Sequence, residues 1–205
     1  MGARVSSANS LAVEDLGSAA QRDRRKRILD ATIALASQGG FDAVQMRSVA
    51  ESADVALGTL YRYFPSKIHL LVSALQREFE RSEAALRDKP VEGDTTAERV
   101  ITVLKRTTRG MQSDAKLTEA LTRAFMFADS SVAAEIHQVG MLLTSMLTRA
   151  MYPEGHGEVT EDDVQIARVI GDVWLSALVG WVTGRNTAAE TGQQIEVAVK
   201  LLLRD

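Results

Sequence analysis

Residues Ala53 to Lys67 read ADVALGTLYRYFPSK and gather two tyrosines, an arginine, a threonine and a lysine into one short stretch. Hydroxyl and cationic side chains of this kind reach phosphate oxygens and the edges of bases. The spacing predicts a short helix at Met46 to Ser52 before the stretch and a long amphipathic helix after it. That is the layout of a helix-turn-helix, whose second short helix enters the DNA major groove. Gly58 and Thr59 then open the second helix, where the missing side chain of Gly58 lets the backbone approach DNA. Leu57 offers an apolar contact to a thymine methyl group. Tyr61 and Tyr63 reach phosphate, Arg62 reaches phosphate or a guanine edge, and Arg47 grips the other side of the groove. Lys67 falls in the first turn of the next helix, where its charge and the helix N-terminus both attract phosphate. Leu60, Phe64 and Val55 are expected to hold the three helices together. Against the alternative, that Tyr61, Tyr63 and Phe64 are all core, stands the difficulty that a short helix cannot direct neighbouring bulky groups to one face. Of the two tyrosines, Tyr61 is expected to be the more buried.

Arg22, Arg24, Arg25, Lys26 and Arg27 form a second basic cluster. Either it approaches flanking phosphates or the minor groove, or it is a solvated turn and a half of helix. The run covers every face of a helix, so not all of it can meet DNA.

Catalytic chemistry finds no comparable constellation. A di-iron bundle needs Glu-x-x-His pairs on facing helices, whereas Glu135-Ile136-His137 has the wrong spacing and neither His69 nor His156 has a partner set. There is no Gly-x-Ser-x-Gly elbow, P-loop or dinucleotide fingerprint. Glu161-Asp162-Asp163 is explained by a helix dipole. The expectation is therefore no enzyme, no metal and no cofactor.

The elements that must position the tip are helical. Only 3 prolines interrupt 205 residues, and long runs of Ala, Leu, Glu and Arg favour helix. Residues 1–17 are small and polar, which favours a disordered arm. A helix over about Ala20 to Gln38 follows, ended by Gly39-Gly40. Asp54 takes the tight turn, Pro65 stops the recognition helix and Ser66 caps the next helix. After a break at Pro90 to Asp94, helices are expected at about Thr96–Gln112, Ala115–Phe127, Ser130–Met151, Glu161–Arg185 and Ala189–Leu203. The division is an arm at 1–17, a DNA-binding head at 18–65 and a body at 66–205. Charge follows it: Ser18 to His69 carry eight Lys and Arg against five Asp and Glu, while Leu70 to Asp205 carry 15 against 20. A basic head on an acidic body suits a DNA-binding unit attached to one with another task. Zero cysteines exclude disulfides. No run reaches the roughly 18 uncharged apolar residues of a membrane span, and no secretory leader is evident, so a cytoplasmic location is expected.

Val49-Ala50, Val55, Gly58 to Phe64, Ser66-Lys67 and Leu70 together resemble the tetracycline-repressor (TetR) family. The resemblance covers about the first third of the chain. It implies an all-α dimer of nine helices with a C-terminal effector pocket. Asp54 replaces a common turn glycine, and Ala56 replaces a common Ser or Thr cap at a cost of ~1 kcal/mol. A closer resemblance, to the repressors of cholesterol catabolism within this family, spans nearly the whole chain. It rests on Ala20-Gln21-Arg22, Arg24 to Ala31, Val44 to Arg47, Leu117 to Ala120, Thr122-Arg123-Ala124, Phe127-Ala128-Asp129, Ile166 to Ile170 and Asp172 to Ser176. It implies repression of steroid-degradation genes, relieved by a steroid coenzyme A thioester.

A greasy effector needs a mostly apolar cavity. The candidates are Met111, Leu121, Phe125, Met126, Met141, Leu142, Ser145, Met146, Trp174, Leu178 and Trp181, with plain core as the rival reading for each. Lys116 and Arg123 are either near an entrance or ordinary surface charge. The eighth helix is apolar around most of its circumference and must be buried on more than one side. A homodimer formed by the last two helices of each copy follows, and a two-fold dimer requires palindromic operator DNA. The rival functions are regulation of another lipid pathway or of drug efflux, and a helical lipid-binding or enzyme-like protein whose tip does not read DNA.

Overall fold

Glycine decides where the first helix turns. The computed structural model describes residues 5–87, 91–152 and 157–204, with side chains from Ala19 onward. In it α1 (Val5–Ala43) breaks at Gly39 and Gly40, and Gly40 has φ 69° and ψ −160°. Side chains avoid that region of backbone space, and a methyl on Gly40 would lie 2.8 Å from Glu119 Oε2. The chain therefore turns sharply there and brings Phe41 against α6. Residues 5–17, expected as a disordered arm, instead continue α1. Adding turns to an existing helix needs no new nucleus. Residues 1–4 lie outside the described residues, as do Pro90 and His156.

α2 (Met46–Ser52) and α3 (Leu57–Tyr63) form the expected pair. Asp54 between them has φ 51°, a conformation that Asp tolerates better than most residues. Ala56 leaves α3 without a side-chain cap. Phe64, extended before Pro65, ends α3. Ser66 Oγ accepts the His69 N–H at 3.3 Å and so caps α4 (Lys67–Arg87). The body continues with α5 (Thr96–Gln112), α6 (Ala115–Met126), a 3-10 turn at Ser130–Val132, α7 (Ala133–Met151), α8 (Glu161–Val182) and α9 (Ala188–Leu202). No strand occurs among the described residues. Capping boxes start α5 with Thr95 and Glu98, α8 with Thr160 and Asp163, and α9 with Thr187 and Glu190. Asp163, expected only to complement a dipole, also closes a box and accepts the Tyr152 hydroxyl at 2.9 Å.

One continuous core runs from Ile28 and Leu29 in the head to Trp174 and Leu178 in the body. α4 packs on both α7 and α6, and α8 packs on α7 and α9. α8 is long and apolar enough to cross a membrane by length and composition, but Arg168 and Asp172 interrupt it and its Ile170, Trp174 and Leu178 are buried in the fold. Its outer side stays open. Val169 is exposed there, as are Val197, Leu201 and Leu202 of α9.

α9 is braced to α5 by charge. Lys105 Nζ and Lys200 Nζ stand 2.8 and 2.7 Å from the two oxygens of Glu196. Hydrogen bonding to the two lysines pulls the Glu196 carboxyl from 4.5 to about 2. A carboxyl lowered in the folded state adds stability above its ordinary pKa, and that stability is lost as pH falls through the folded value. Glu196→Gln should therefore lower Tm near neutral pH by an amount that shrinks between pH 4.5 and about 2. A Tm difference from wild type that stays constant across this window would contradict the brace.

Candidate nucleic-acid interface and ligand cavity

Residues four apart on a helix share a face, and Leu60 and Phe64 set the inner face of the tip. They are 0% and 2% exposed. Tyr61 and Arg62 consequently point away: Tyr61 is 46% exposed and Arg62 is exposed. Tyr63, three residues after Leu60, flanks the buried face and is half-buried, with its ring 6.4 Å from that of Phe64. The expectation that Tyr61 is the more buried tyrosine is thus reversed. Leu57 and Gly58 are exposed, nothing lies within 4 Å of a methyl built on Gly58, and Thr59 is half-buried beside them. Arg47 stands exposed at the start of α2, 4.0 Å from Glu51.

The basic cluster divides by helix face. Arg27 turns inward and donates to the carbonyls of Ala53 and Asp54, clamping the α2–α3 turn onto α1. Arg25 lies over the Phe64 ring at 5.6 Å. Lys26 pairs with Asp30 at 3.7 Å, and Asp30 also takes Arg77 of α4 at 2.8 Å. The signal for Arg27 was available, because the buried stripe through Ile28 and Ala31 extends back to Arg24 and Arg27 at helical spacing.

Lys67, expected to meet phosphate, is engaged within the protein. Its ammonium sits 3.8 Å over the Phe41 ring, and burial lowers its pKa, partly offset by nearby Asp42. Arg123 covers the same ring at 4.5 Å and lies 3.6 Å from both Asp42 and Glu119. The Phe41 N–H donates to Glu119 Oε2 at 2.8 Å, and Lys116 Nζ donates to the Gln38 carbonyl at 2.7 Å. Lys116 and Arg123 thus join head to body at the Gly39–Gly40 turn. His69 completes the joint. Its Nε2 donates to the Ser131 carbonyl at 3.1 Å, which leaves Nδ1 to accept from Ser66 Oγ at 2.9 Å.

The cavity lies where α4, α6, α7 and α8 meet. Leu75 and Phe79 come from α4, Met111 from α5, and Thr122 and Phe125 from α6. Val139, Gly140, Leu143 and Thr144 come from α7, and Ala167, Gly171, Trp174, Leu175 and Leu178 from α8. Exposed Arg168 and Asp172 stand at its rim. Trp174 is fixed by an Nε1 hydrogen bond to Thr108 Oγ1 of 2.8 Å and by an edge contact with Phe79 at 6.0 Å. Of the expected lining, Met111, Phe125, Trp174 and Leu178 are present. Leu121 faces an adjoining groove between α4, α5 and α6 that shares Leu75, Phe79 and Met111 with the cavity. Met126 and Met141 are exposed, Met146 is core, and Leu142 and Trp181 are half-buried away from the cavity. Ser145 is exposed and donates to Glu83 at 3.3 Å. The error on α7 is one of phase: moving from 139, 140, 143 and 144 to 141, 142, 145 and 146 rotates the helix by roughly 200°.

Residues 28–74 match the model for bacterial regulatory proteins of the tetR family, and residues 93–202 match that for the tetracyclin repressor-like C-terminal domain. The chain belongs to the TetR family. It is 58% identical over 198 residues to the HTH-type transcriptional repressor KstR of Rhodococcus jostii, an alignment covering 97% of this chain and 91% of the relative. A crystal structure of a TetR transcriptional regulator from Rhodococcus sp. RHA1 superposes with a TM-score of 0.82 at 31% identity, covering 90% of this chain and 97% of that one. Thermus thermophilus FadR, a TetR-family repressor solved with lauroyl-CoA, shares the fold with a TM-score of 0.63 at 21% identity, covering 87% and 93%. This TetR-family chain is a transcriptional repressor with a helix-turn-helix that binds operator DNA, and not an enzyme.

Clamp and contact are separable by salt. Arg27→Met should cost about 1–3 kcal/mol of stability through the lost charged hydrogen bonds and weaken operator binding without changing its salt slope. Arg62→Ala should leave stability intact and reduce the slope by about one, as expected for one lost phosphate contact. Urea titration and gel shifts over a salt series read both; equal slopes for wild type and Arg62→Ala would remove Arg62 from the phosphate contacts.

Proposed function

We propose that two copies of this repressor read a palindromic operator through α3 and release it when a steroid coenzyme A thioester enters the cavity, so that steroid-degradation genes are expressed. The observation that carries the reading is that α4 belongs to both sites. Its first turn forms the Phe41 joint with the head, and about two and three turns later Leu75 and Phe79 wall the cavity. Leu57, Gly58, Thr59, Tyr61, Arg62, Tyr63 and Arg47 supply the DNA contacts, while Lys67 acts through the joint. The protein works in the cytoplasm, where its operator lies.

The cavity measures about 150 Å³, below the range of roughly 300–1,000 Å³ typical of small-ligand sites. A tetracyclic ligand fits only if α4, α6, α7 and α8 separate. Such a ligand binds the opened state better than the closed one, which is the condition for shifting the equilibrium. Support for a steroid comes from the extent of similarity to KstR, which runs through the body as well as the head. The lauroyl-CoA bound by FadR is a thioester of the same chemical kind. The repressor complex should be dissociated by micromolar steroid coenzyme A thioesters in gel shifts. Release by another lipid or a drug, with none by steroid thioesters, would reject the steroid assignment.

The dimer rests on the apolar strip formed by Val169, Val197, Leu201 and Leu202, which one chain leaves uncovered. Large uncovered strips mark interfaces, and α8 with α9 from two copies makes a four-helix contact. Leu201→Glu combined with Val197→Glu should give a folded monomer in sedimentation, with operator affinity reduced at least tenfold. A double variant that still sediments as a dimer would move the interface elsewhere.

A further inference from the structure

Threonines inside helices usually satisfy their hydroxyls locally, by turning back to the carbonyl four residues earlier. Thr32, Thr107, Thr148 and Thr191 all do so here. Thr118 instead reaches the Met111 carbonyl at the end of α5. Thr122, one turn further along α6, does neither. Its residue is 5% exposed, and its Oγ1 is buried with no hydrogen-bond partner. The other buried side-chain atoms without partners among the described residues are Arg77 Nε and Gln112 Nε2, and neither residue lines the apolar cavity. Thr122 does.

A threonine in a helix has two accessible χ1 rotamers, one of which allows the back-bond. Thr122 forgoes it, and an unpaired buried hydroxyl is costly enough that native folds rarely keep one without a use. The surrounding wall offers it no relief. Leu75, Phe79, Phe125, Val139 and Leu178 carry no polar side-chain atom, and the other threonine of the wall, Thr144 on α7, does not pair with it. The exposed charges, Arg168 and Asp172, are at the rim.

We propose that Thr122 is the specificity-determining residue of the cavity, and that the effector carries a ketone or hydroxyl oxygen at its buried end to exchange a hydrogen bond with Thr122 Oγ1. The proposal rests on the reading of this cavity as the effector site. It adds a requirement that an apolar pocket alone does not impose. A greasy ligand without the oxygen leaves the hydroxyl unpaired, and sites built around a hydrogen bond reject such analogues strongly. The effector is then polar at both ends: charged or strongly solvated at the rim, and singly oxygenated in the interior.

The test compares wild type, Thr122→Val and Thr122→Ser against two ligand pairs. One pair is a steroid coenzyme A thioester with a ketone on the ring remote from the thioester and its counterpart with that ketone reduced to methylene. The other is a long-chain acyl-coenzyme A and its ω-hydroxy form. Calorimetric affinity and the concentration for half-release of operator are read for each. Wild type and Thr122→Ser should prefer the oxygenated member by about tenfold or more, and Thr122→Val should lose the preference. The ligand-free Thr122→Val protein should melt a few degrees higher, because valine removes an unpaired polar group at nearly constant volume. A preference undiminished in Thr122→Val, or a lower melting temperature, overturns the proposal. If only the acyl pair binds wild type, the steroid reading fails while the acyl pair still decides Thr122. If neither pair binds, the cavity is not the effector site and both fall.

Discussion

The aromatic ring of Phe41 is the point on which the rest of the molecule turns. Two cations, Lys67 from α4 and Arg123 from α6, cover it at 3.8 and 4.5 Å. The backbone N–H of the same residue is held by Glu119. Cation–π contacts gain strength as their cations are desolvated, and here two converge on one ring. The contact exists only because Gly40 adopts a conformation closed to other residues and delivers Phe41 to α6. A head that would otherwise hang from α4 alone is thereby fixed at two places, α1 on α6 and α4 on the 3-10 turn through His69. Any movement of α4 relative to α6 must be felt by Phe41.

That constraint gives the small cavity its significance. α4 and α6 both contribute to its wall, α4 through Leu75 and Phe79 and α6 through Thr122 and Phe125. The same two helices hold Phe41, α4 through Lys67 about two turns before Leu75 and α6 through Arg123 in the same turn as Thr122. In the proposed mechanism a ligand that wedges them apart near Phe79 changes their relation at Lys67 and Arg123. A packed core has discrete arrangements rather than a continuum, so the wedge favours a second arrangement instead of a graded bend. The response is limited by the difference in affinity for the two states. Moving from 1:99 to 99:1 needs about 5.5 kcal/mol of it.

How much of this was legible depended on the range of the interactions. The head was readable almost residue by residue, because its turns are local chemistry: Gly40 and Asp54 at positive φ, Pro65 after an extended Phe64, and Ser66 as a cap. Helix boundaries in the body followed from the same kind of signal. What the sequence concealed were partners distant along the chain. Arg27 meets carbonyls 26 residues away, and Lys67 meets a ring on a different helix, so both looked like surface cations. The cavity lining was hidden for a related reason. α7 is apolar on several sides, and the rotation that presents Gly140 and Thr144 inward is set by packing on α4 and α8, not by the pattern of α7 itself. Gly171 is part of that packing, since a methyl there would stand 3.0 Å from Leu143. Methionine misled most. Its adaptability suits a pocket, yet Met126 and Met141 are exposed and Met146 fills core.

The tip explains why a shift passed through one joint is enough to matter. α3 has seven residues, and its exposed surface offers few groups able to reach base edges at once. Single-copy binding is therefore dominated by phosphate contacts, which carry little sequence information. Sequence reading by such a short helix gains its selectivity from two copies held at the spacing of successive major grooves. In the proposed dimer each body supplies that spacing through α8 and α9, and each joint sets the angle of its own head. A tilt too small to break any contact within a head can still move two tips out of register with the operator. On that proposal the repressor does not need to unfold or rebuild its reading surface to let go; it needs only to lose the distance between two copies of it.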